Sequence, residues 1–216
     1  MPQLIAMVIV VVGAMIYMFQ TFGGTGDKIE GVAQKGSVIT EINNIKDGLK
    51  IAAKSGHIEA TASATTDAVA DLAGLAELSY FAEQINEQVG ESAAETPADK
   101  NTYYAISFSG SSTSPGGMAI SMATKKDYIP GIYVDLSVGN LKDNAAFLEA
   151  QVATDLAAVA TIDRHALGAT AGADADASAT GVDKRIPKAT ATSTGSSTDG
   201  KFIVYFRDFG SSEVVK

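Results

Sequence analysis

Apolar and neutral side chains fill residues 1–22 of the chain without a single charge, and the first charged residue is Asp27. As an α-helix, about 22 residues rising about 1.5 Å each would reach roughly 33 Å, close to the hydrocarbon thickness of a bilayer. Surface helices of soluble domains do not carry uncharged runs of that length. The pattern therefore predicts a helix that lies in a membrane or in an equally dry protein environment.

The flanks of this run differ from those of a cleaved secretory signal. A signal peptide begins with a basic region and ends at a small-residue cleavage site, whereas here no Lys or Arg precedes the apolar residues and Phe-Gln-Thr-Phe-Gly-Gly closes them. We expect the segment to be a permanent part of the working protein, beginning at or near its mature N-terminus. A flexible joint at Gly23, Gly24 and Gly26 follows, because glycine disfavours helix. The chain is thus divided into an apolar helix with its joint, residues 1–26, and a globular head, residues 27–216.

Helical periodicity returns from Lys28 to about Gly56, where apolar residues recur every three or four positions and share one face. This stripe consists of Ile29, Val32, Ile39, Ile42, Ile45, Leu49, Ala52 and Ala53. A second helix is predicted from about Asp67 to Val89, with its N-cap at residues 65–67. Its stripe is Val69, Leu72, Leu75, Leu78, Phe81, Ile85 and Val89. We expect the first stripe to pack on the sheet of the head.

Beyond a polar loop, residues 91–101, the pattern becomes typical of strands. Strands are predicted at residues 103–108, 118–124, 132–138 and 201–207. A helix capped by Asn144 is expected to reach about Thr161, and residues 168–200 to be mostly loop. The apolar residues of this predicted helix are Phe147, Leu148, Val152, Leu156 and Val159. Because short links join the middle strands, the predicted class is α+β, with a long apolar helix continuing into an amphipathic helix packed on an antiparallel sheet.

Charge and composition narrow the function classes. The 216 residues include 25 acids against 16 Lys and Arg, a net charge of -9, which argues against nucleic-acid binding and against a polybasic membrane patch. Without cysteine there are no disulfides, thiolate metal sites or cysteine nucleophiles. The two histidines, His57 and His165, leave little material for a metal site or for histidine catalysis. We expect no cofactor and no metal.

Two clusters of polar residues have a structural and a functional interpretation. Asp163-Arg164-His165 resembles part of a catalytic cluster, but no G-x-S-x-G sequence supplies a nucleophile, so we expect no enzyme and interpret His165 as a cation at a helix C-terminus. Residues 174–183 alternate oxygen-bearing side chains as calcium loops do, but the glycine comes two positions late and Arg185 replaces the bidentate glutamate. A flexible acidic loop is the preferred interpretation. The Ser/Thr-rich stretches 109–114 and 190–198 are expected to be loops, with O-glycan attachment as a secondary expectation.

Lys46, Lys50 and Lys54 are four positions apart and therefore form a basic ridge along one helix face. Two interpretations stand. The ridge is either a solvated face, as exposed lysines usually are, or a surface that docks against an acidic neighbouring subunit.

An apolar N-terminal helix that passes through a glycine break into an amphipathic helix, followed by an α/β head, resembles the type IV pilin family. The resemblance covers the first 55 or so residues, and Met1 matches the residue that begins mature type IVb pilins after a peptidase has removed a basic leader. Two features depart from the family pattern: Ile5 stands where bacterial pilins usually carry glutamate, and there are no cysteines for the usual C-terminal disulfide. If the resemblance holds, assembly relies on apolar packing, or on Gln3 as a neutral partner of the N-terminal amine.

The resemblance implies a structural subunit of an extracellular helical filament, embedded in the membrane before assembly and partnered by further copies of itself. The residues expected to form the assembly core are Met1, Leu4, Ile5, Met7, Val8, Val11, Val12, Met15 and Phe19. The alternative is a single-span, membrane-anchored exported domain that binds a ligand or a partner, since an anchor needs only hydrophobicity.

Overall fold

The computed structural model describes residues 30–61, 69–91, 99–110, 116–174, 178–188 and 195–216. Within them the chain is an α+β fold with one antiparallel sheet, which confirms the predicted class. The predicted apolar helix at residues 1–22 and the glycine joint lie outside the described residues, so the long N-terminal helix remains a prediction. Among the helices that are described, none has both the length and the apolar character needed to cross a membrane.

Five strands form the sheet in the order β1-β2-β3-β5-β4, and every neighbouring pair is antiparallel. Their bounds are β1 Thr102–Tyr104, β2 Ala119–Ala123, β3 Gly131–Asp135, β4 Ala160–Asp163 and β5 Lys201–Phe206. The predicted first strand is shorter than expected, because a 3-10 turn at Ile106–Phe108 follows it. β5 lies between β3 and β4, and all of its residues after Lys201 are buried. Side chains alternate between the two faces of a strand, so the sheet must be covered on both.

Helix α1 (residues 30–55) covers one face of the sheet with the predicted stripe. The buried part of this stripe belongs to the same core cluster as the strands, and comprises Val38, Ile42, Ile45, Leu49, Ala52 and Ala53. Burying one of the larger aliphatic side chains stabilises the fold by about 1.5–3 kcal/mol. The buried face therefore anchors α1 to the sheet. Val32 departs from the prediction, because it is 59% exposed.

The second predicted helix is two helices, α2 (Leu72–Glu77) and α3 (Glu83–Glu91). Between them Ser79 has φ of 60°, a left-handed conformation that ends an α-helix. The N-cap is Asp71, whose Oδ1 accepts a hydrogen bond from Gly74 N at 2.8 Å, rather than residues 65–67, which lie outside the described residues. Leu78, in the turn, is exposed and not part of the core.

The predicted helix at 144–161 is also shorter than expected. Helix α4 spans Ala145–Leu156, and the chain then turns into β4, which the sequence pattern did not predict. Asn144 does not cap it through its side chain. Val159, expected in the apolar stripe, is 50% exposed in the turn between the two elements. The helix ends because residues beyond this turn pair with β5 in register from Ala160 to Asp163.

The sheet face opposite α1 is covered by chain without long helices, which we name the loop layer (residues 164–174 and 178–188). Tyr133, Ile203 and Tyr205 share this face by their register. The Tyr133 hydroxyl lies 3.5 Å from the Leu167 carbonyl oxygen, and Ala166 and Ile186 are buried. The only regular structure within the loop layer as described is a 3-10 turn at Gly181–Arg185 and two isolated bridging residues, as expected for a segment predicted to be mostly loop.

Candidate assembly surface

The residues predicted to drive assembly lie mostly outside the described part of the chain. The predicted assembly core and joint are Met1, Leu4, Ile5, Met7, Val8, Val11, Val12, Met15, Phe19, Gly23, Gly24 and Gly26, all of them outside the described residues. The described surface that continues from them is α1. Its inner face is buried in the head, and Lys46 and Lys50 of the lysine ridge lie at the border of that face, beside the end of β5.

Lys46 and Lys50 meet an anion of their own chain. Lys46 Nζ lies 3.3 Å and Lys50 Nζ 3.1 Å from Asp208 Oδ2, and Lys50 Nζ also donates to the Asp208 carbonyl oxygen at 2.6 Å. Partial burial alone would raise the pKa of Asp208, but the hydrogen bond from Lys50 and the charge and hydrogen bond of Lys46 outweigh it and lower that pKa. The carboxylate therefore stays ionised between the two ammonium groups.

Two aromatic rings lie beside the same lysines. Lys46 Nζ is 5.0 Å from the ring centroid of Phe206, and Lys50 Nζ is 5.9 Å from that of Phe209. Both distances are within the range in which a ring face attracts a cation. The end of β5 and the residues after it are thus tied to α1 by charge and ring contacts.

The ridge was expected either to be solvated or to meet acidic side chains of a neighbouring subunit. For Lys46 and Lys50 this expectation was wrong, because Asp208 of the same chain is their partner, whereas Lys54 is exposed. The sequence spacing showed the ridge but not Asp208, because 158 residues separate Lys50 from its partner. Docking of the ridge on another subunit remains a prediction, and Lys54 is the residue expected to make that contact.

A buried carboxylate on α1 is a feature that the sequence reasoning missed. Glu41 is 4% exposed, and its two oxygens accept hydrogen bonds from Tyr103 Oη at 3.0 Å and from Ser107 N at 3.2 Å. Burial, with the Glu41 carboxylate as a further cause, raises the pKa of Tyr103. Glu41 therefore joins α1 to β1 and the turn after it, and its hydrogen-bonding capacity is used within the fold.

The Asp163-Arg164-His165 cluster is built into the fold at the end of β4. Asp163 is 2% exposed and its Oδ1 accepts from His165 N at 3.0 Å, while His165 Nδ1 is 3.1 Å from the Gly195 carbonyl oxygen. The interpretation of His165 as a cation at a helix C-terminus was wrong, because it follows a strand. Arg164 Nε points instead to Glu149 Oε1 at 2.7 Å.

Glu149 is fully buried in α4, and its second oxygen accepts from Gly200 N at 2.9 Å. A buried carboxylate is tolerated only when it is paired and hydrogen-bonded, as here. This carboxylate fastens α4 to the ends of β4 and β5. Nothing in the sequence pattern marked it, since its partners are distant in the chain.

The ends of the acidic loop 174–183 are each paired with a cation. Asp174 Oδ1 lies 2.9 Å from Lys125 Nζ, and the hydrogen bond and charge of Lys125 lower the pKa of Asp174. Asp183 Oδ1 lies 3.4 Å from Arg207 Nε. Residues 175–177 lie outside the described residues. In the described ranges no group of three or more acidic or histidine side chains is arranged to hold a metal ion.

A shallow depression lies beside Arg207, at the edge formed by β4. Its volume is about 240 Å³, and its lining includes Thr161, Asp183, Lys188 and Arg207. Sites for drug-sized ligands usually range from about 300 to 1,000 Å³. The depression is therefore small. The Arg207 guanidinium already forms an ion pair with Asp183 and donates a hydrogen bond to Thr161 Oγ1.

Comparison with models of protein families, with curated proteins and with solved structures finds no match for this chain.

Proposed function

We propose that the chain is a structural subunit of an extracellular, type IV pilus-like helical filament, in which the apolar N-terminal helices bundle and the α+β heads form the outer wall. The observation that carries this proposal is the run of uncharged residues 1–22 followed by α1, whose inner face is built into the core of the head. The uncharged run therefore ends eight positions before a helix that is held in the core of the head.

Identical subunits form an open helix when two different surfaces of each copy meet. An apolar stalk supplies one such contact, and burying a large side chain stabilises it by roughly 1.5–3 kcal/mol. A stalk with about a dozen such residues is therefore sufficient to sustain a filament. Before assembly, the same segment would hold the subunit in the membrane.

The alternative is a single-span, membrane-anchored exported domain that binds a ligand or a partner. The depression beside Arg207 is the observation in its favour. We prefer the filament subunit, because that depression is small and two charged residues of its lining, Asp183 and Arg207, already pair with each other.

Deletion of residues 1–22 tests the proposal. We expect the shortened chain to be a soluble monomer by size-exclusion chromatography, because the main contact between copies has been removed, while cells producing the full chain shed filaments that electron microscopy detects in sheared surface material. A shortened chain that still polymerises would show that the heads alone assemble. Full-length chain that stays in the membrane fraction without filaments would favour the anchored domain.

A further inference from the structure

The depression beside Arg207 lies on the side of the head away from α1. Thr161 of β4 is the cross-strand partner of Tyr205, which belongs to the sheet face covered by the loop layer. The other lining residues come from the loop layer or directly follow β5, and they are Ala179, Asp183, Ile186, Pro187, Lys188 and Arg207. In the proposed filament α1 follows the bundled segment, so this side of the head faces outward.

Two cationic side chains of the lining have hydrogen-bond donors that are not used within the head. Arg207 contacts Asp183 and Thr161 through Nε and Nη2, so its Nη1 forms no hydrogen bond with a described residue. A guanidinium carries five N–H donors in all. Lys188 is exposed, and its ammonium group has no partner among the residues that the structure describes. Both groups are therefore available to a bound anion.

The charge of the lining matches a ligand with a single negative charge. Lys188 and Arg207 contribute two positive charges and Asp183 one negative charge, which leaves one positive charge. The Asp183 carboxylate disfavours a dianion such as phosphate at close range, and the net charge of -9 on the chain repels it at longer range. One carboxylate fits these charges, because guanidinium and ammonium groups form strong charge-assisted hydrogen bonds with it.

The rest of the lining indicates what else the ligand carries. Asp183 accepts hydrogen bonds from hydroxyl groups, and Thr161 Oγ1, which accepts from Arg207, keeps its own hydrogen to donate. Ala179 and Pro187 add apolar surface against which C–H groups pack. The volume of about 240 Å³ is below that of sites for drug-sized ligands. A single sugar ring with one carboxylate combines these groups in a molecule of small size.

We infer that the depression binds a sugar acid, meaning one monosaccharide unit that carries a carboxylate. The carboxylate lies at Lys188 and Arg207, and the hydroxyl groups lie at Asp183 and Thr161. This inference goes beyond the proposed function and does not depend on it, since an anchored domain would expose the same site. In a filament the site is repeated on every subunit, so weak single sites together bind a polymer of such sugars with high avidity.

Saturation-transfer NMR on the full chain in detergent micelles tests the site, with D-glucuronate as the probe. We expect glucuronate to bind and neutral glucose to bind at least about tenfold more weakly, because glucose lacks the charge-assisted hydrogen bonds. Lys188→Gln should weaken glucuronate binding by about tenfold for the same reason. Lys54→Gln is the matched control, because Lys54 is exposed on α1, on the other side of the sheet. Circular dichroism should be unchanged in both variants.

A second variant tests the role of Asp183. Asp183→Asn removes the negative charge of the lining, so inorganic phosphate should compete with glucuronate about tenfold better than in the wild-type chain. Phosphate that displaces glucuronate from the wild-type chain as well as glucuronate itself does would show a site for any anion and overturn the assignment to a sugar acid.

Equal glucuronate binding by the wild-type chain, Lys188→Gln and Lys54→Gln would place the ligand elsewhere and overturn the inference, as would glucose that binds as well as glucuronate. Filaments made of a chain that does not bind glucuronate would overturn the inference and leave the filament proposal standing. Conversely, glucuronate binding at this site by a chain that forms no filaments would support the inference and count against the filament.

Discussion

At the scale of single residues, Asp208 connects more of the head than its exposed position suggests. Its carboxylate and its carbonyl oxygen together hold Lys50, and its carboxylate also holds Lys46. The lysines in turn lie beside rings on either side of Asp208 in sequence, Phe206 and Phe209. Asp208 therefore fastens the residues that follow β5 to the middle of α1.

Replacing Asp208 by asparagine removes the charge and keeps the size of the side chain. We expect the free energy of unfolding at pH 7 to fall by a few tenths to about 1 kcal/mol, the range of partly exposed ion pairs. Urea denaturation followed by circular dichroism measures it. Asp47→Asn is the matched control, because Asp47 is more exposed and lies 3.7 Å from Lys46 Nζ, so its loss should matter less.

The pH dependence of this difference follows from the lowered pKa of Asp208. A depressed pKa in the folded state adds stability above the unfolded value of about 3.9, and this stability is lost as the pH falls through the folded value. The gap between the wild-type chain and Asp208→Asn should therefore be constant near neutrality and shrink as the pH falls below about 4. An equal gap at pH 7 and pH 3 would mean that the asparagine disturbs packing rather than charge.

At the scale of elements, two of the glycines in α1, Gly36 and Gly48, lie in opposite environments. A Cβ on Gly48 would lie 2.4 Å from Phe81 Cδ1 and 2.8 Å from the Tyr80 carbonyl oxygen, whereas a Cβ on Gly36 would meet nothing within 4 Å. The close approach at Gly48 brings α1 against the turn between α2 and α3. By helix propensity alone, replacing either glycine with alanine would have the same effect.

The two glycines give opposite expected results on substitution. Gly36→Ala should stabilise the head by up to about 1 kcal/mol through helix propensity. Gly48→Ala should destabilise it by about 1–3 kcal/mol, since the overpacked methyl group meets a backbone oxygen that cannot move alone. Thermal unfolding of the two variants beside the wild type decides this. If both substitutions stabilise the head, the turn between α2 and α3 moves away from α1 at little cost.

Local pattern predicted the elements whose character is set along the chain itself. α1, β2, β3 and β5 were predicted because their periodicity is strong, and the buried stripe of α1 was largely correct. β4 was missed, since Ala160–Asp163 continues the helical pattern of α4 and becomes a strand only by pairing with β5. Tertiary pairing overrode local propensity there. For the same reason the partners of Lys50 and Glu149 were not predicted.

At the scale of the whole molecule, Lys54 is the ridge lysine that tests whether the ridge docks on another subunit, because Lys46 and Lys50 pair with Asp208 of the same chain. In Lys54→Glu, the circular dichroism of the head should be unchanged, and filament yield should fall at low ionic strength and recover in part when salt screens the charge over about 10 Å at 0.1 M. Lys126→Glu changes the net charge equally at another exposed site and serves as the control. Normal filaments of Lys54→Glu at low and high salt would mean that the ridge is only solvated.

The strand order has a consequence for how the head is made. β5 is the last strand in the chain but lies between β3 and β4, so neither neighbour has its central partner until residue 206 has left the ribosome. Strand pairings between residues far apart in sequence form slowly, because a long loop must close first. Before β5 is made, only the β1-β2-β3 part of the sheet can pair, and the edge of β3 that later receives β5 is open.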